Sequence, residues 1–77
     1  MKNNIYDEVR ELTHELENTG NDSLISSILD SIDFSSTSTE ALFKIRFYLS
    51  QINKGHLNNY TTEKVTKIEN EINKLLE

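Results

Sequence analysis

Ile5, Val9, Leu12 and Leu16 recur at steps of four, three and four, and this spacing most constrains the fold. On a helix those positions share one face, whereas on a strand they would scatter across both faces. The pattern then restarts three times. Leu24, Ile25, Ile28, Leu29 and Ile32 form a second stripe, backed by Ser23, Ser26, Ser27 and Ser31. Ala41, Leu42, Ile45, Tyr48, Leu49 and Ile52 form a third, and Val65, Ile68, Ile72 and Leu75 a narrow fourth. The spacing predicts helices over 4–18, 22–32, 38–54 and 62–76. Short connections between amphipathic helices imply antiparallel neighbours, so the expected fold is all-α: a small four-helix up-and-down bundle in one domain, 1–77.

Local signals agree with these boundaries. Asn3 or Asn4 suits the first cap, and Asp7 and Glu8 sit where the helix dipole favours negative charge. Gly20 follows the first stripe as a helix stop, and Asn21 or Asp22 opens the second helix. Thr37 with Glu40 three residues on matches a capping box. Gly55 is placed to end the third helix in a left-handed conformation. Thr61 is expected to cap the fourth helix, with Tyr60 and Val65 as its hydrophobic staple.

The 77 residues include no proline and no cysteine, and only two glycines. Disulfides and thiolate chemistry are thereby excluded, and stability rests on helix packing or on a partner. No apolar run approaches the ~20 residues of a membrane span, and the first residues lack the apolar core of a secretion signal. The expected location is cytoplasmic. The net charge of −5 is uneven. Residues 1–34 hold eight acids against two bases, a balance of −6, while residues 35–77 stand at +1. Such a balance repels nucleic acid and suits basic protein surfaces, or else forms a solvated helix face.

The third helix carries a second pattern. Phe43 and Phe47 stand four apart, nearly opposite the core stripe, with Lys44 and Arg46 on the two borders. Either another helix of the chain covers them, or they meet a partner or a second copy, since aromatics and arginine dominate binding hot spots. Arg46 is expected to reach Asp30, Asp33 or an acid of the first helix, with its stem along apolar surface.

Chemistry is sparse. His14 lies on the polar face of the first helix, and Glu11, His14 and Glu15 share a face without the spacing of a metal site. His56 follows Gly55 in a loop, no serine stands in recognisable relation to a histidine, and no glycine-rich phosphate loop occurs. The Ser35–Ser38 run offers hydroxyls at a helix start, but capping already uses that end. No catalytic residue, metal ligand or cofactor is assigned, and a non-enzymatic protein is expected. The third helix is too poor in bases for a DNA-reading helix.

The stretch IDFSSTSTEALFKIRFYLSQI, preceded by ISSILDSI and followed by a Lys/Glu/Ile-rich helix, resembles small bacterial immunity proteins of toxin–immunity loci. The shared pattern is a Ser/Thr cluster, then Thr39-Glu40-Ala41-Leu42, then Ile45-Arg46-Phe47. The resemblance implies a non-enzymatic inhibitor that occludes a toxin, and the acidic face would suit a basic toxin such as a nuclease. The candidate contact residues are Glu8, Glu11, Glu15, Phe43, Arg46 and Phe47. The alternatives are a structural or regulatory homo-oligomer such as a homodimer and, third, a nucleic-acid-associated regulator.

Overall fold

The computed structural model describes residues 4–77. Among them four α-helices follow in order, α1 (Ile5–Glu15), α2 (Asp22–Phe34), α3 (Ser38–Leu49) and α4 (Asn59–Leu76), with a 3₁₀ turn at Lys54–His56 before α4. The described residues contain no strand.

Each helix packs mainly on two others. The neighbouring pairs are α1–α2, α2–α3, α3–α4 and α4–α1, which closes a ring and places α1 and α3 on opposite corners. Cross-links along α1 and α4 run in opposite senses: Glu15 at the end of α1 meets Lys64 in the first half of α4, while Glu8 near its start meets Glu71 further along α4. The short turns between successive helices reverse the chain in the same way. The expected up-and-down bundle is therefore the observed fold.

One core fills the centre. Val9, Leu12, Leu16, Ile28, Leu42, Ile45, Leu49, Ile52, Val65, Ile68 and Ile72 are buried together, every helix contributing. At full burial each such side chain is worth roughly 1.5–3 kcal/mol of transfer free energy. Ile28 is the only large apolar side chain of α2 that is fully buried, while Ser31 is buried and bonds back to the Ser27 carbonyl. Leu75 departs from the expected fourth stripe. It stands exposed in the last turn of α4, and Leu76 packs against the core instead.

The helix ends refine the boundaries. Asn4 caps α1 by accepting from Asp7 N–H at 2.9 Å, while Asn3 lies outside the described residues. The α1 spiral stops at Glu15 rather than residue 18. Leu16 N–H bonds back to Leu12 and Thr13 carbonyls, and Asn18 and Gly20 then turn the chain with φ of 64° and 85°. Glycine takes that backbone without steric cost, and asparagine takes it more readily than most residues.

Asn21 occupies the cap position of α2 but makes no capping bond. It is buried, donates to Thr19 Oγ1 at 2.9 Å and accepts from Asn53 N–H at 3.2 Å. This single amide joins the α1–α2 turn to the turn after α3. α2 itself runs on to Phe34.

The expected third helix to residue 54 is corrected to an end at Leu49. Beyond it Gln51 and Ile52 bond three residues back, and Asn53 N–H goes to Asn21 instead of to the helix. Gly55 is not left-handed. It donates to Asn53 Oδ1 at 3.0 Å, and a Cβ there would stand 3.1 Å from the same oxygen. A side chain at 55 would crowd the oxygen that its own N–H binds, and no positive φ calls for glycine there.

The α4 start also moves. Asn58 is the cap and accepts from Thr61 N–H at 2.8 Å, so Thr61 lies inside the helix and buried. The expected Tyr60 staple does not form, because Tyr60 is 64% exposed.

Candidate protein-binding face

α3 presents two faces because its sequence holds apolar residues on both sides. Ala41, Leu42, Ile45 and Leu49 are buried against α2 and α4. Their burial turns Phe43 and Phe47, about half a turn away around the helix, to the outside. Phe43 is 48% exposed and Phe47 60%, so no other helix of the chain covers them. Residues four apart on a helix are surface neighbours, and the two rings lie along one ridge. Phe47 also meets Tyr48 edge to face, with ring centroids 5.4 Å apart.

Arg46 borders this ridge. Its guanidinium carbon sits 5.0 Å above the Phe43 ring, a cation–π arrangement. Its Nη1 donates to Asn73 Oδ1 of α4 at 2.9 Å. The expected ion pair to Asp30, Asp33 or α1 is corrected by topology. α3 and α1 stand on opposite corners, and Arg10 takes Asp33 at 3.0 Å. Lys44, on the other border, pairs with Glu40 at 3.3 Å.

Glu8, Glu11 and Glu15 belong to a different surface, the seam between α1 and α4. Glu15 Oε2 is buried and lies 3.1 Å from Lys64 Nζ. That contact holds the Lys64 ammonium above its ordinary pKa, against the opposing pull of burial. Lys64 also sits 5.6 Å from the centre of the Tyr60 ring. Glu8 faces Glu71 of α4. Hydrogen bonding to Glu71 is the main cause that pushes the Glu8 carboxyl above its ordinary pKa, aided by burial and the Glu71 charge and opposed by Lys67. Glu11 is exposed and adds a weaker repulsive contribution to Glu8. The six candidate contact residues thus split between two corners of the bundle: three along α1 facing α4, three on the outside of α3.

The start of α3 already holds an anion of its own. Glu40 Oε2 accepts from Ser36 N–H at 2.8 Å while Thr37 Oγ1 accepts from Glu40 N–H at 3.1 Å. The carboxylate therefore reaches one residue further back than the usual box. The Ser36 amide first and Lys44 second draw the Glu40 carboxyl below its ordinary pKa. Beside it a shallow cleft is lined by Tyr6, Ile32, Ala41 and the Ser35–Ser38 segment, with Ser35 Oγ buried and unpartnered.

The histidines stay at the surface. His14 Nδ1 lies 3.3 Å from Glu17 Oε1, not between Glu11 and Glu15, and His56 lies exposed in the 3₁₀ turn. Among the described residues no cluster of three or more His, Asp or Glu is placed to hold a metal ion, and no helix is long and apolar enough to cross a membrane.

Fold and surface together define a small all-α four-helix bundle that carries an exposed aromatic ridge beside an arginine. In comparisons with known proteins, no family model, no curated protein and no solved structure matches this chain.

Proposed function

We propose that the chain is a non-enzymatic protein-binding module, an immunity-type inhibitor that works in the bacterial cytoplasm by covering part of a toxin. The observation that carries the reading is the exposure of Phe43 and Phe47 on a well-formed helix whose opposite face already supplies the core. Two phenylalanines side by side on a surface are an aggregation liability unless a partner covers them. Phe and Arg are also residue types enriched in interface cores. Occlusion requires a scaffold that keeps its shape, and a bundle with core residues from all four helices provides one.

Co-expression with the product of the adjacent gene tests the reading. An inhibitor restores growth and co-purifies with that product, and the double variant F43S/F47S loses both effects while remaining helical by circular dichroism. Continued growth arrest and no complex with the unaltered chain would defeat it.

A further inference from the structure

We infer that the α3 ridge docks an apolar segment of another protein that carries a carboxylate beside its apolar side chains, with Arg46 receiving that carboxylate. The inference rests on the reading of the chain as a protein-binding module and names the chemistry of the partner at one surface.

The argument begins from charge. Among the described residues Arg10, Lys44, Lys54 and Lys64 each sit within 4 Å of a Glu or Asp; Lys67 and Lys74 on α4 and Arg46 on α3 do not, and of these three only Arg46 borders the aromatic ridge. Arg46 is matched instead with a neutral oxygen, Asn73 Oδ1, and with the face of Phe43. Its charge is therefore held in place at the edge of an apolar ridge with no acid at ion-pair distance among the described residues. A guanidinium is a rigid fork of donors, and only one of its two terminal nitrogens is engaged by Asn73. The remaining donors suit a carboxylate arriving together with the apolar side chains that would cover Phe43 and Phe47.

A second copy of the chain is the poorer occupant. An isologous contact would set the same patch against itself. Each Arg46 would then look for an acid on the other copy's α3 face. The nearest acid in sequence on that helix is Glu40, which already holds the Ser36 amide and Lys44. Both copies would also carry a net charge of −5.

The α1–α4 seam is a poorer place for the same partner, because its acids already face Lys64 and Lys67 and each other.

A displayed library of random helical peptides provides the probe. It is selected on the intact chain and, in parallel, on Arg46→Glu. Peptides recovered on the unaltered chain are expected to be enriched in Asp and Glu next to Leu, Ile or Phe. They should lose at least ten-fold in affinity on Phe47→Ser, with Phe43→Ser as the second variant. Selection on Arg46→Glu should enrich Lys and Arg instead. Circular dichroism of each variant controls for folding.

Recovered peptides without an excess of acids, peptides indifferent to both phenylalanine variants, or no binders at all would overturn the inference. So would sedimentation equilibrium that shows a dimer dissolved by Phe47→Ser, since the face would then belong to a second copy. The peptide result does not depend on any toxin. Failure of growth rescue with acid-bearing peptides still bound would remove the inhibitor reading alone.

Discussion

At the scale of single residues, two side chains carry more than their size suggests. Asn21 is buried with both ends of its amide engaged, to Thr19 and to Asn53. Replacing it by alanine removes the two bonds that its buried amide makes, each worth about 0.5–1.5 kcal/mol. Asn21→Ala is therefore expected to lower Tm by several degrees in a scanning thermal melt, whereas Asn70→Ala on the exposed side of α4 should leave it nearly unchanged. Glu8 acts with the opposite sign. Its carboxyl is raised by Glu71, so the folded chain binds that proton more tightly than the unfolded chain does. The pair accordingly costs stability at neutral pH, and stability returns as pH falls through the raised value towards the ordinary one. Glu71→Gln should raise Tm at pH 7, and the gain should shrink once Glu8 is protonated in acid.

At the scale of elements, α3 holds the most information. Its start depends on Thr37, and Thr37→Ala is expected to cost about 0.5–2 kcal/mol in urea unfolding. The Glu40 carboxyl, drawn below its ordinary value, contributes stability that is complete above the ordinary carboxylate range and lost as pH falls through the lowered value. Glu40→Gln should therefore flatten the acid limb of stability against pH, opposite in sense to Glu71→Gln. The outer face behaves differently. Phe47→Ser removes a ring that is 60% exposed and edge-on to Tyr48, so its cost should stay at about 1 kcal/mol, well below that of a core truncation.

The same helix shows what the sequence could reveal. The four elements, most of the core stripes and the Thr37 cap are legible, because period and capping chemistry are local; Leu29 and Leu75 fall outside the core and Ser31 falls inside it, since a wheel does not show how closely each turn is covered. The end of α3 is not. Gly55 reads as a helix stop, but α3 ends six residues earlier: Gln51 and Ile52 bond three residues back, and the Asn53 N–H then goes to Asn21 on a distant turn. Neither residue announces that pairing. Arg46 was misdirected for a related reason: a helical wheel gives the side on which a residue lies, but not which helix stands there. The wheel did separate Phe43 and Phe47 from the core, and their exposure follows once α2 and α4 are seen on the other flanks. The division of the six candidate residues between two corners was invisible without the ring order.

At the scale of the whole molecule, a thin core shared by four helices leaves no part able to stand alone. Ile45 and Leu12 are both fully buried, and alanine at either should cost about 2–5 kcal/mol, a large share of the stability of so small a domain. Unfolding should accordingly be a single transition, with coincident curves by circular dichroism and tyrosine fluorescence; a biphasic curve would mean that a helix pair survives by itself.

One consequence follows from the buried asparagine amide that spans two bends. Neither bend can swing open while keeping its partner's bond, so their fluctuations are locked to one clock. Amide exchange at Thr19 and at Asn53 should slow or quicken together across temperature, and a protease that nicks one bend should find the other equally ready.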